Sequence, residues 1–423
     1  MRVWLVQTGE PAPTDPGRPK LMRTGVVAQH LADRGHEVVL WSCTVDHPAK
    51  VQRARKTTVL EMRGNYHVVL LYGRMYASNI SLARVVSQIE TAREFRRLAP
   101  TLAKPDVILC GYPTIELAHA ATKFAVQNAI PIAIDFRDKW PDIIESHISR
   151  WARRVAVPAI WYWRHCQRWT VRNATGIVAI TEPFLDWALA AGGRVRSDRD
   201  RVFHLAADPA PLSPGELADA ERMWDALDVR AGGDRVIVCF IGTLSSRLDL
   251  MTLVAGVRGL SPEEKTKVKV VICGRGDLDL ALREVAKSEP GLVVAGWRKA
   301  AELHVLMQRS HAGVLPYRSN EDFVISYPNK VGEYLGAGLP IMTGLSGLVG
   351  KLLVERGIGF FYEAGNPASA VACLRGLLAS PAQAQQKRDA ARQAFLDLFD
   401  PARIYPGFCD YLEDLAAEHG SRT

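Results

Sequence analysis

The chain has 423 residues, of which 48% are hydrophobic and 23% charged, and its formal net charge is +8. That length exceeds one ordinary core, so two domains of roughly 200 residues each are expected, and the composition excludes a disordered or fibrous chain. No run approaches the ~18 consecutive apolar residues of a spanning helix, and the basic balance favours a polyanionic or anionic-surface partner.

Met1-Arg2-Val3-Trp4-Leu5-Val6 reads as a first strand, not a secretory leader, so an exported or integral protein is not expected. An amphipathic stretch follows at 21–34, then Gly35-His36 and a strand at 37–41. Pro105-Asp106 introduces apolar residues 107–109, residues 129–135 form the next buried run, and 177–180 close this half. Alternating strand and helix patterns with continuously apolar strands predict α/β architecture, with parallel sheets covered by helices on both faces. Residues 192–215 are rich in Gly, Arg, Asp and Pro and read as a linker. A second alternation places strands at 235–242, 268–274, 292–296, 312–316 and 340–344, and the amphipathic end from Pro401 is expected to pack back. The seven cysteines, at 43, 110, 166, 239, 273, 373 and 409, lack metal-type or CxxC spacing and several sit in apolar runs. Reduced thiols in the cytoplasm are expected, with no metal site.

In a doubly wound sheet, ligands bind where strands lead into helix N-termini. The loop Gly242-Thr243-Leu244-Ser245-Ser246-Arg247 offers close backbone approach, hydroxyl donors and a fixed charge to a phosphate, or else is an ordinary strand-to-helix turn. Cys273-Gly274-Arg275-Gly276-Asp277 contains GxG without the third glycine of a dinucleotide fingerprint, and Thr8-Gly9-Glu10-Pro11 has no such pattern, which argues against an oxidoreductase. Pro328 suits a helix start, and Lys330 and Glu333 then share a face. They are either a surface ion pair or a cation for a diphosphate beside a carboxylate for ribose hydroxyls.

These pieces, with Gly296-Trp297, Gly313-Val314-Leu315-Pro316-Tyr317 and Gly338-Leu339-Pro340, stand in an order that resembles the family-4 retaining glycosyltransferases of GT-B fold. In the first half, Leu31-Ala32-Asp33-Arg34-Gly35-His36-Glu37-Val38 and Asp135-Phe136-Arg137-Asp138-Lys139-Trp140-Pro141 are similar to the surface-polysaccharide members. The resemblance implies two facing Rossmann-like domains with an interdomain cleft: an acceptor domain at 1–207, with 402–423 packing back on it, and a nucleotide-sugar domain at 208–401. It implies a retaining, hexosyltransferase-type enzyme moving a sugar from a nucleoside diphosphate to a hydroxyl acceptor, a lipid-linked glycan of surface-polysaccharide assembly. Glu333 would bind ribose, Arg247 and Lys330 would neutralise the diphosphate, and Gly296-Trp297 would face the base. Gly242, Thr243, Leu244, Ser245, Ser246, Gly274 and Asn329 would complete the donor site. No cofactor or metal is implied. Two positions depart from the family pattern: Ile325 where a first glutamate is usual, and Thr243 where an arginine is frequent.

Asp135 and Asp138 end a strand on the acceptor side, with Gly9 and Glu10 nearby in the same expectation. Asp138 would orient or deprotonate an acceptor hydroxyl, or instead pair with Arg137 or Lys139 or cap a helix. Residues 150–172 concentrate arginine and tryptophan without one acidic residue. That composition suits a helix lying at the inner face of an anionic membrane, or a core-packing helix with a basic outer face, and Pro158 is expected to interrupt it. Nucleic acid is not the expected partner, because no RRM, KH or zinc-finger pattern accompanies the patch. The competing functions are a nucleotide-sugar epimerase of the same fold and a catalytically silent nucleotide-binding partner in an assembly complex.

Overall fold

A computed structural model describes residues 1–17, 19–78, 81–147, 150–207, 212–230, 235–246, 248–319 and 321–420. The chain divides into two compact units, Met1–His204 with Ala402–Thr423, and Leu205–Pro401.

The first unit is built on a sheet ordered Arg201–Val202, Gly176–Ala179, Ile132–Phe136, Val107–Tyr112, Arg2–Val6, Glu37–Cys43, Tyr66–Leu71 and Thr58–Arg63. Neighbours are parallel except the last pair, which is antiparallel. Val107–Tyr112 and Ile132–Phe136 are buried at every position, as parallel strands covered on both faces must be. The antiparallel edge departs from the expected all-parallel sheet. Its outer strand keeps Val59, Glu61, Met62 and Arg63 exposed, and such a charged edge discourages pairing with another chain. Trp4 anchors the core, 4.8 Å from Trp41 and 5.3 Å from Phe124 between ring centroids. A buried indole of ~200 Å² contributes ~5 kcal/mol at ~25 cal/mol per Å². The helix Pro401–Gly420 belongs to this unit, with Phe408 4.5 Å from Phe203 and the Tyr411 hydroxyl donating to the Arg199 carbonyl at 2.9 Å.

The second unit holds a fully parallel sheet ordered Leu292–Gly296, Val268–Cys273, Val236–Ile241, Ala312–Leu315, Ile341–Thr343 and Gly359–Phe361. In both units the chain starts in the middle, fills one side of the sheet, then crosses back and fills the other. The reversal falls between Arg2–Val6 and Val107–Tyr112 in the first unit, and between Val236–Ile241 and Ala312–Leu315 in the second. Loops diverge at such a point and leave a crevice at the strands' carboxyl ends.

Two local expectations change. The stretch 192–215 is not all linker: it contains the strand Arg201–Val202 and the start of the helix Pro214–Ala226, where Ser213 and Glu216 form a reciprocal capping box. Pro158 does not end its helix, which runs from Arg150 to Asn173. Pro158 lies on the exposed side, where solvent is at hand for a carbonyl deprived of its partner.

Candidate functional site

In the second unit three strand ends are stitched side by side. The Gly242 N–H donates to the Cys273 carbonyl at 3.0 Å, Leu244 N–H to Arg275 at 2.9 Å, and Gly274 N–H to Gly296 at 2.8 Å. The side chain of Leu244 is fully buried and anchors the loop, while Thr243 and Ser246 face solvent and Ser245 is half-buried. The GxG at Gly274 and Gly276 has a definite cause. A Cβ on Gly274 would stand 1.8 Å from the Gly242 carbonyl oxygen, and one on Gly276 2.2 Å from that of Leu244. Only glycine lets the two loops run this close.

Further contacts fix the loop's far side. Ser246 donates through its N–H at 3.0 Å and its hydroxyl at 2.6 Å to Asp277, whose carboxyl is held below its usual range by these bonds. Asp249 is buried, accepts from Thr252 and from the Gly365 N–H at 2.8 Å each, and donates its own N–H to the Pro316 carbonyl at 2.6 Å. Loops on both sides of the topological reversal are thereby tied together. Arg247 lies outside the described residues.

The helix Asn329–Gly336 brings in the remaining residues. Asn329 is exposed, and Lys330 donates to Glu333, their side chains being 21% and 38% exposed. Tyr334, with no role assigned from sequence, is fully buried against Gly313. Its hydroxyl accepts from the Ile241 N–H at 3.1 Å and reaches the Val314 carbonyl at 3.4 Å. The helix carrying Lys330 and Glu333 is therefore pinned to the residue that precedes Gly242. Trp297 is 62% exposed beside Gly296, whose φ is +75°. Ile325 is partly buried.

In the first unit, the loop after Arg2–Val6 places Gly9 at φ +88° and buries Glu10. Glu10 belongs to a buried quartet. Arg137 donates to Glu10, to the Thr24 hydroxyl at 2.7 Å and to Asp135 at 2.7 Å. Arg23 donates to the other Asp135 oxygen at 3.0 Å and to the carbonyls of Phe203 and His204. Burial raises the Asp135 pKa, but the charges of Arg137 and Arg23 outweigh it and hold the carboxyl ionised. Asp135 is thus a structural hub with both oxygens engaged. Arg23 and Arg137 were not predicted as members, although an arginine within Leu21-Met22-Arg23-Thr24-Gly25 at a helix start is a readable signal. Asp138 is half-buried; burial lowers the pKa of Arg84, and the charges of Tyr76 and Asp138 offset part of that.

The helix Arg150–Asn173 has two distinct sides, with the side chains of residues 150–153 and 155 outside the described set. Ile160, Trp163, Cys166, Gln167, Thr170 and Val171 are buried, and the Trp163 indole donates to buried Glu116 at 2.7 Å. Outward stand Val157, Trp161 at 68% exposure, Tyr162, His165, Arg168 and Arg172. Core packing and an exposed basic–aromatic face are therefore both present. Among the described residues no helix is long and apolar enough to cross a membrane, and no cluster of His, Cys, Asp and Glu could hold a metal ion.

Two family profiles match the chain: "Glycosyl transferase 4-like domain" over residues 22–206 and "Glycosyl transferases group 1" over residues 235–380. No curated relative matches the chain significantly in sequence. Among solved structures, the chain is similar to sucrose-phosphate synthase from Thermosynechococcus elongatus at 15% identity and TM-score 0.68, covering 99% of each chain. It is similar to Anabaena HepE in complex with UDP-glucose at 14% identity and TM-score 0.62, over 98% of this chain and 100% of that one. A third similar structure is WaaG, a glycosyltransferase involved in lipopolysaccharide biosynthesis, at 10% identity and TM-score 0.61 over 97% and 99% of the two chains.

Proposed function

The chain belongs to the glycosyltransferases of GT-B fold, and we propose that it moves a sugar from a nucleoside-diphosphate donor to a hydroxyl acceptor with retention of configuration. The observation that carries this reading is the rim of Gly242, Gly274 and Gly296, stitched together beside a helix start bearing Lys330 and Glu333. Backbone approach and the loop hydroxyls receive the diphosphate. Lys330, together with Arg247, neutralises it, Glu333 and Asn329 hold the ribose side, and Trp297 meets the base. In the reaction the bond from the anomeric carbon to the diphosphate oxygen breaks. The acceptor oxygen attacks from the same face, and its proton passes to the leaving diphosphate. Stabilising that departing charge is the main electrostatic task, and in this reading it falls to Lys330 and Arg247. The HepE complex with UDP-glucose supports a nucleotide-sugar donor. The neighbours' descriptions favour transfer over epimerisation or a silent binding role.

We place the acceptor on the first unit, near Gly9, Glu10 and Asp138, with Asp135 holding the arginines that shape that loop. The acceptor class we favour is a lipid-linked glycan of cell-surface polysaccharide assembly. The outward face of Arg150–Asn173 supports it, since tryptophan, tyrosine and arginine together suit the headgroup region of an anionic leaflet. Seven free cysteines are consistent with a reducing, cytoplasmic side.

The direct test is thermal unfolding of the protein with a panel of nucleoside diphosphates and their sugars, followed by product analysis with the best donor. A ligand at a hundred times its Kd adds ~2.7 kcal/mol. Stabilisation by one base, and radiolabelled sugar appearing on an acceptor with the donor's anomeric configuration, is the expected outcome. Stabilisation by none of the nucleotides would sink the donor-site reading.

A further inference from the structure

The row of strand ends in the second unit runs on past the diphosphate side of the proposed donor site. Outward from Gly242 come Gly274 and then Gly296, two strand spacings or about 10 Å away, where the sheet stops. A nucleoside diphosphate laid along this row, phosphates at Gly242, presents to its far end the base edge opposite the ribose. Arg283 stands at that end, on the helix Asp279–Ala286 that joins the strands ending at Gly274 and Gly296. Its Nε donates to Asp279 one turn earlier at 3.0 Å, the two side chains being 47% and 27% exposed. Its Nη2 reaches the Gly296 backbone, 2.9 Å from where a Cβ would stand.

Asp279 therefore holds the guanidinium by Nε alone and fixes its direction. Among the described residues neither terminal nitrogen has a protein partner, which leaves the N–H groups of the fork open. The nearby Arg298 does not take this place, because its guanidinium is turned back over the buried ring of Trp224, 5.8 Å from its centre. Two large apolar side chains stand in solvent on the same two elements. Leu280 is 83% exposed one turn before Arg283, and Trp297 follows Gly296. Apolar surface next to a few directed donors is what a planar base with acceptors on its edge requires.

We propose that Arg283 reads the outer edge of the donor's base and selects an oxo base, uracil or guanine, over an amino base, cytosine or adenine. This deepens the proposed function and rests on its assignment of the base to Gly296-Trp297. The reason is the polarity of that edge. Uracil O4 and guanine O6 accept hydrogen bonds, and guanine N7 beside O6 allows a bidentate pair, whereas cytosine and adenine carry an amino group at the corresponding position. A guanidinium only donates, so an amino group there sets donor against donor and gives up its water without a replacement. One charge-assisted hydrogen bond gained or lost corresponds to a preference of about tenfold to a hundredfold.

The experiment is calorimetry of the intact protein with UDP, CDP, GDP and ADP, in wild type, Arg283→Gln and Arg283→Lys. The tighter binder of UDP and GDP names the base, and in wild type it should bind at least about tenfold more tightly than its amino counterpart, CDP or ADP. A glutamine amide both donates and accepts, so Arg283→Gln should bring the two within about threefold. Its Tm without nucleotide should match wild type, because the ion pair it removes is a solvent-accessible one. Arg283→Lys restores a head that only donates and should restore the preference. Wild type binding CDP or ADP as tightly as the oxo counterpart, or a preference that survives in Arg283→Gln, overturns the proposal and leaves the donor site standing. Binding of none of the four nucleotides overturns the donor assignment itself, and this proposal with it.

Discussion

Tyr334→Phe isolates one link between two donor-site elements. The substitution deletes only the hydroxyl that accepts from the Ile241 N–H at 3.1 Å and leaves the ring packed on Gly313. Ile241 is 5% exposed, so water does not readily replace the lost acceptor. An orphaned buried N–H costs about 1–3 kcal/mol. For a unit of roughly 200 residues each kcal/mol moves Tm by about 2–4 °C, which predicts a fall of about 2–12 °C. A second effect follows from position. Ile241 precedes Gly242, and Tyr334 follows Glu333, so loosening the bond frees the loop relative to the helix and weakens UDP binding. Differential scanning fluorimetry with and without UDP reads both quantities. A variant with wild-type Tm and wild-type UDP stabilisation would refute the coupling of loop and helix through Tyr334.

Gly274→Ala forces a Cβ to within 1.8 Å of the Gly242 carbonyl at a φ of +151°, so it should cost about 3 kcal/mol or more and abolish UDP stabilisation, checked by denaturant unfolding. His119 is pushed down to about 4 by burial and by Lys123, His165 and Arg96. The unfolded chain takes up that proton near pH ~6.5. Stability from this group is therefore complete above pH ~6.5 and declines as pH falls toward 4, and His119→Gln should flatten the slope in that window in urea titrations. Trp161→Ala, at a 68% exposed position, should leave Tm unchanged but reduce sedimentation with anionic vesicles, and undiminished sedimentation would count against the membrane face. Lys330→Ala and Glu333→Ala should each reduce UDP affinity by about tenfold or more with little change in unfolding free energy, measured by calorimetry and chemical denaturation.

The legible part of the fold was its apolar strands and the glycines after them, because fully buried parallel strands write themselves as unbroken apolar runs. Val107–Tyr112 and Val236–Ile241 are of that kind. The strand Thr58–Arg63 left no such mark, since an edge keeps Glu61 and Arg63 in solvent, and Arg201–Val202 is too short to show a period. At the donor-side candidates the sequence supplied residue types and order but not what holds them. GxG at Gly274 was visible, whereas its cause is the Gly242 carbonyl, 32 residues earlier in the chain, and no local pattern reports that approach. Tyr334 and Arg23 escaped notice for the same reason. Each acts through partners distant in sequence, Ile241 for the one and Asp135 for the other.

The contact between Lys330 and Glu333 shows how two readings of one pair can both hold. An ion pair three residues apart on a helix, with side chains 21% and 38% exposed, is worth only about 0.3–0.5 kcal/mol. A charge-assisted hydrogen bond to a phosphate or a ribose hydroxyl is worth about 1.5–3 kcal/mol. On the proposed reading, a bound nucleotide offering one such bond to each side chain would outcompete the pair by severalfold, and the pair would be the resting arrangement of the groups that receive it. It also keeps each charge partly neutralised while the site is open to solvent, which limits the desolvation cost when a donor enters. The departures at Thr243 and Ile325 add weight to this argument. With no arginine at the first position and no carboxylate at the second, the proposed function assigns Lys330 and Glu333 a larger share of donor recognition than in a site furnished with both. Their loss should accordingly be felt more in nucleotide affinity than in the stability of the unit that holds them.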